Sequence, residues 1–346
     1  MKSQAPLLRP RIFRPTPLNL NRLAGRLKRG EIIGVPSETV YGLAADALNP
    51  EACMRIFAAK KRPTTDPLIV HLASRYDIDT VAHVNEAALA LAEAFWPGPL
   101  TLVLPKKNIV PLIVTAGRRT VAVRVPDHAL FRKLIRLSKS PLAAPSANPF
   151  GYISPTSAVH VRDSLIGSGL RAILDGGDCS VGVESTIVDL SNPDKPRLLR
   201  PGGIEAEKIE MVLKRKLSRP SYKSISAAKS APAPGMLSRH YSPRTKLILH
   251  TSLHPQDVMH MTVNEVCLLL SKPSAQVNKL LKPDTKKQLR WLSESGRMND
   301  IAKNLFSTLR RLDEENWSVI HACLVPGLEG LAPAINDRLK RASAKA

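Results

Sequence analysis

Cysteine is scarce: only Cys53, Cys179, Cys267 and Cys323 occur in 346 residues, and they stand far apart. There is no Cys-x-x-Cys pair and no Cys/His spacing. This excludes a zinc module or disulfide framework and predicts reduced, mostly buried thiols in a cytoplasmic protein. Aromatic residues are few, at 4%, and none follows the pattern of an RNA-recognition module. Apolar runs are short and broken by charge or proline, so no segment reads as a membrane-spanning helix. No acidic residue precedes Glu31, and Arg9, Arg11 and Arg14 stand among prolines. Lacking an apolar stretch or an amphipathic pattern, this segment reads as a short basic arm rather than a targeting peptide. Gly-x-Ser-x-Gly, Walker A and Gly-x-Gly-x-x-Gly sequences are also missing. With no protein nucleophile in view, the pattern fits a reaction whose substrates supply nucleophile and electrophile while the protein orients them.

What is present is an ordinary globular composition, 43% hydrophobic, in a chain long enough for two domains. The net charge of +22 draws in polyanions, whether nucleotide, pyrophosphate or RNA, unless it is only a solvated surface. Apolar periodicity predicts helices over 19–29, 50–60, 85–95, 129–137, 157–165 and 205–217. Strands are expected over 32–35, 67–72, 100–104, 120–125, 171–174, 185–190 and 197–199. Their alternation predicts a layered α/β domain over residues 12–215. Residues 216–244 read as a linker, rich in Lys, Ser, Ala and Pro at its start. From 233 to 243 that linker changes character: Pro-Gly, Met236, Arg239, His240 and Tyr241 predict an active-site lid rather than a spacer. Strands over 246–250, 266–270 and 319–324, with helices over 300–313 and 330–341, predict a small Rossmann-like domain over 245–346.

Several polar residues sit where ligands or structure would claim them. Lys60 and Arg62 close a helix, either complementing its dipole or concentrating positive charge on a polyphosphate. Thr120 and Arg124 share one strand face. A cation there requires a partner, which is Glu38 or Glu184 in an internal ion pair, or else the carboxylate of a ligand. Ser146 and Asn148 form a turn or a phosphate contact. Ser154 and Thr156 begin the next helix as caps, a position that also suits phosphate. His71 ends a buried strand as a core residue or a ligand contact. Asp175-Gly176-Gly177-Asp178 is a turn whose carboxylates lie open to a metal.

The ordered series Pro36-Ser37-Glu38-Thr39-Val40-Tyr41-Gly42-Leu43, Lys60-Lys61-Arg62-Pro63, Thr120 with Arg124, Pro145-Ser146-Ala147-Asn148, Val183-Glu184-Ser185-Thr186 and Arg200-Pro201-Gly202-Gly203 resembles the YrdC family of threonylcarbamoyl-AMP synthases. The tail, Gly327 to Leu331 and Ala334 to Leu339, resembles the long form with a C-terminal domain. The resemblance implies a twisted open mixed sheet with flanking helices, plus a smaller Rossmann-like α/β domain. It implies a cytoplasmic nucleotidyltransferase that joins L-threonine, bicarbonate or CO2 and ATP, with Mg²⁺, into threonylcarbamoyl-AMP and pyrophosphate. A tRNA threonylcarbamoyl transferase would take the product, and the charge allows weak RNA binding. Carried over by motif, Thr39, His71, Arg124, Ala144 and Ser185 match the threonine positions. Lys60, Arg62, Thr120, Ser146, Asn148, Ser154, Arg200 and Tyr241 match the ATP positions, Lys60 and Arg62 being the catalytic pair. Asp66 stands where the family usually has Asn at an ATP contact. Two other readings compete: an RNA-binding protein without catalysis, and a hydrogenase-maturation carbamoyltransferase, whose zinc-finger Cys pairs this chain lacks.

Overall fold

Caps and turns decide where the first elements begin and end. Thr16 accepts from the Asn19 amide and Pro17 opens α1 (Pro17–Lys28); Asn49 accepts from the Ala52 amide and Pro50 opens α2 (Pro50–Lys60). Lys61 turns left-handed at φ 52°, so Lys60 is the last helical residue. The structure, a computed structural model, describes residues 8–219 and 240–344.

A large mixed sheet holds β1 (Arg11–Phe13), β2 (Ile33–Val35), β3 (Gly42–Asp46), β4 (Ile69–His71), β5 (Leu100–Pro105), β6 (Thr120–Arg124), β7 (Leu142–Ala143), β8 (Ala172–Leu174), β9 (Thr186–Asp189) and β10 (Arg197–Arg200). Their spatial order is β1-β8-β2-β3-β7-β4-β6-β5-β9-β10. Helices α3 (Glu86–Phe95), α4 (Ala129–Ser138), α5 (Ala158–Ser164) and α6 (Ala206–Leu213) complete this unit. Strand side chains alternate between two layers. Ala44 joins Leu23 and Leu27 of α1 and Phe131 and Leu134 of α4, while Leu43 joins Ile56 of α2 and Leu91 of α3.

The second sheet is wholly parallel, with β11 (Lys246–His250), β12 (Glu265–Ser271), β13 (Leu289–Ser293) and β14 (Val319–Cys323) in the order β11-β14-β12-β13. Helices α7 (Ala275–Leu280), α8 (Pro283–Lys287), α9 (Met298–Glu314) and α10 (Ala332–Ala342) serve it. The two units share one core, in which Val40, Ile153 and Val183 pack with Tyr241, Phe306 and Ile335. Gly182, at φ 78°, permits this approach, since a Cβ there would stand 2.4 Å from the Lys303 Cα of α9.

Some expectations shift. The helix after Ser154 and Thr156 is capped instead by Ser157, which accepts from the His160 amide. The helix expected to reach residue 217 stops at Leu213, because Lys214 is left-handed at φ 51°. The expected linker and lid lie outside the described residues apart from 216–219 and 240–244. All four cysteines are buried and free. No helix among the described residues is long and apolar enough to cross a membrane.

Candidate active site

The hairpin between β2 and β3 builds one wall. Ser37 Oγ accepts the amides of Thr39 and Val40, each at 3.2 Å, and donates to Val40 O at 2.6 Å. Its own hydroxyl thereby fixes the loop, as Ser does in tight turns. Tyr41 reaches out of that loop to the Asp175–Asp178 turn, donating to Gly177 O at 2.8 Å and accepting the Gly176 amide at 3.0 Å.

The adjoining wall comes from strand ends. β4 and β6 run parallel with His71 opposite Arg124, so both side chains arrive at the carboxyl edge of the sheet. Arg124 Nη2 donates to Glu38 Oε1 at 2.6 Å and to Thr39 Oγ1 at 3.1 Å, and its Nε donates to Gly98 O at 3.2 Å. Of the two carboxylates that sequence allows as an internal partner for Arg124, Glu38 is the one present. Among the described residues Glu38 Oε2 has no hydrogen-bond partner, which leaves this buried pair half-satisfied.

His71 is buried beside Phe131, with ring centroids 5.1 Å apart. Burial, followed by the Arg124 charge, pushes its pKa down to about 3. Folded His71 is therefore neutral where an unfolded chain would protonate it, below about 6.5. Its contribution to stability is complete above that pH and is lost progressively as pH falls towards about 3. Burial, together with Arg62, Lys60 and Arg200, moves His240 in the same direction. Denaturant melts across this window are expected to show declining stability, with a shallower decline in His71→Asn. An unchanged slope in that variant would mean that the decline does not originate at His71.

Behind the cavity, Lys60 does not serve its own helix. Its buried ammonium donates to Ser146 O at 2.6 Å and Asn148 O at 2.5 Å, fastening the Ser-Ala-Asn loop. Burial, then the Arg62 charge, holds the Lys60 pKa well below the usual lysine range. Arg62 donates to Asp66 O at 3.1 Å and Pro67 O at 2.7 Å. Its Nη2 lies 2.9 Å from Asp66 Oδ2, a charge contact not aligned as a hydrogen bond. Burial raises the Asp66 pKa against the opposing pull of Arg62.

On the far side, Ser185 Oγ meets Thr101 Oγ1 at 2.7 Å and accepts from Arg200 Nη2 at 3.2 Å. Glu184 accepts from Ser154 Oγ at 2.6 Å, so Ser154 secures the cavity wall rather than capping a helix. Tyr241, left-handed at φ 63°, stacks on Phe306 at 5.4 Å and stands edge-on to His240 at 4.1 Å. Its buried hydroxyl has no hydrogen-bond partner among the described residues, and burial pushes its pKa up to about 12.

The cavity gathers Thr39, Arg62, His71, Arg124, Ala144, Ser146, Ser185, Arg200 and Tyr241. Lys60, Asp66, Asn148 and Ser154 do not line it; they brace residues that do, or one another. Thr120 is not brought in. It lies at the opposite end of β6, four strand residues or about 13 Å from Arg124. Ser37, Glu184 and Phe131 line the cavity although sequence does not mark them as contacts, and His240, expected in the lid segment, lines it too. Phe131 carries no signal beyond its place in an amphipathic helix. Among the described residues, no group of three or more His, Cys, Asp or Glu is placed to hold a metal. The nearby carboxylates are matched to guanidiniums: Glu38 to Arg124, Asp66 to Arg62 and Glu184 to Arg338.

Residues 26–202 match the Sua5/YciO/YrdC family, described as Telomere recombination. Residues 204–344 match the family described as Threonylcarbamoyl-AMP synthase, C-terminal domain. The threonylcarbamoyl-AMP synthase of Pyrococcus abyssi is 42% identical over 326 residues, 92% of each chain. That of Bacillus subtilis is 38% identical over 333 residues, covering 92% of this chain and 91% of the relative. The solved structure of P. abyssi Sua5 complexed with L-threonine superposes with a TM-score of 0.86 at 38% identity, over 96% of this chain and 97% of that one.

Proposed function

The chain belongs to the Sua5/YciO/YrdC family in its long, two-part form, and from that premise we propose how its cavity works as an L-threonylcarbamoyladenylate synthase. The reaction is a nucleotidyl transfer. The neutral amine of threonine adds to CO2 and releases a proton to solvent, giving a carbamate, and a carbamate oxygen displaces pyrophosphate from the α-phosphorus of ATP. One observation carries the reading: Thr39, His71, Arg124, Ala144 and Ser185, far apart in sequence, surround a single cavity.

Arg124 takes the threonine carboxylate, sharing its guanidinium with Glu38. Thr39, Ser185 and the neutral imidazole of His71 surround the rest of the amino acid without adding charge. Arg62 and Arg200, with Ser146 and Tyr241, face the nucleotide; Lys60, Asp66, Asn148 and Ser154 hold that side in place. Negative charge grows on the departing pyrophosphate, and fixed cations in a dry site stabilise it. Thr120 reaches only a ligand that extends along the β6 face. No three His, Cys, Asp or Glu side chains gather as a metal site among the described residues; Mg²⁺ carried by the triphosphate would neutralise phosphate charge.

The product is passed to a tRNA threonylcarbamoyl transferase. The charge of +22 supports weak RNA contact, and the free, buried thiols support a cytoplasmic location. The decisive assay is pyrophosphate release from ATP with each amino acid in turn, with and without bicarbonate. Release is expected only with threonine and bicarbonate together. Equal turnover without any amino acid would make the protein a simple ATPase.

A further inference from the structure

Two arginines of the second unit cross into the first and brace the cavity from behind. Arg338, on α10, is fully buried. Its Nε donates to Glu184 Oε2 at 2.9 Å, and its Nη1 donates to Pro201 O at 2.6 Å and Asp337 Oδ2 at 3.1 Å. β9 begins at Thr186 and antiparallel β10 ends at Arg200, so Glu184 and Pro201 flank the open end of one hairpin. Ser185 and Arg200 occupy that end, with Arg200 Nη2 donating to Ser185 O at 3.0 Å. The ladder is irregular there, its register shifting between Leu198 and Arg200. The β9–β10 ladder therefore does not by itself fix the spacing of these two residues.

The other end of the same chain of contacts is also held. Glu184 Oε1 accepts from Ser154 Oγ at 2.6 Å. Arg310, on α9, donates to the carbonyls of Ser154, at 3.1 Å, and Ile153, and to Ser164 Oγ at 2.8 Å. Ser154 and Glu184 are thus fixed between two buried guanidiniums of the second unit.

We propose that Arg338 is a positioning residue which, by bridging Glu184 and Pro201, sets the placement of Ser185 and Arg200 and so makes the second unit part of the substrate site. It does not line the cavity and acts only through the residues it holds. A guanidinium suits this task because its rigid fork reaches two acceptors at a fixed angle, whereas an ammonium is a point charge on a flexible stem. The proposal rests on the assignment of Ser185 to threonine and Arg200 to ATP.

The test uses the full chain. Arg338→Met, Arg338→Lys, Ser185→Ala and Arg200→Ala are titrated with threonine and with ATP by calorimetry, and each is melted. Arg338→Met is expected to weaken threonine and ATP about tenfold or more, and to lower kcat about 100-fold, the effect expected of displaced site residues. Arg338→Lys, which keeps the charge, is expected to recover melting temperature but not affinity; a merely structural arginine would recover both together. If Ser185→Ala and Arg200→Ala bind as the unaltered protein does, the substrate assignment fails and the bridge fails with it. If those two weaken binding while folded Arg338→Met binds normally, only the bridge is overturned.

Discussion

Arg124→Ala is expected to abolish useful threonine binding while leaving nucleotide binding nearly intact. The lost contact is charge-assisted and buried, and removing one partner of such a pair costs on the order of 2–5 kcal/mol. At about 1.4 kcal/mol per tenfold, that is a weakening of roughly thirty- to several thousand-fold. Glu38 is left buried without its cation, so the variant also loses stability, which a melt would report separately from calorimetry. Arg124→Lys should not rescue it, because Nη2 and Nε serve Glu38, Thr39 and Gly98 at once. Unchanged threonine affinity in a folded Arg124→Ala protein would remove Arg124 from the amino-acid site.

The reverse pattern is expected at Lys60 and Arg62: ATP turnover falls about 100-fold or more, while threonine affinity stays within a few-fold. The two positions differ in how they fail. Lys60→Ala strands the carbonyls of Ser146 and Asn148 and loosens their loop. Arg62→Met strands the Asp66 carboxylate, with a stability loss of about 3–5 kcal/mol. Adding Asp66→Asn removes that stranded charge, so the Arg62→Met/Asp66→Asn double variant should melt close to the unaltered protein and still fail to turn over ATP. If the double variant regains activity, Arg62 contributes only stability.

The same residues show what the sequence makes legible. Alternation along Thr120–Arg124 places a cation on a strand face, and the Asn49-Pro50 cap places Lys60 and Arg62 at a helix end; the structure has both. Motif order then gathers side chains that no local pattern links. The short strands Arg11–Phe13, Gly42–Asp46, Leu142–Ala143 and Leu289–Ser293 are not foreseeable from periodicity. The two-residue β7, for instance, owes its strand geometry to pairing with β3 and β4 rather than to its own composition. Likewise, the partners of Glu184 depend on where α10 docks, and docking leaves no mark in sequence spacing. Arg338 is therefore visible in sequence only as one letter of a tail motif.

The pairing of β1 with β8 sets a schedule for synthesis. Arg11 lies opposite Ala172, so β1 must wait for most of the first unit to be made before its partner strand exists. Pairings between distant segments form slowly. The cavity needs residues from Ser37 to Tyr241, and its bridge lies later still, on α10. At about 5–20 residues per second, on the order of ten seconds or more separates the making of Lys60 and Arg62 from that of Tyr241, which completes the cavity lining. Substrates that bind only the finished fold then draw it forward by mass action. A chain released before α10 would hold every strand of the first sheet, with the open end of its β9–β10 hairpin unbridged.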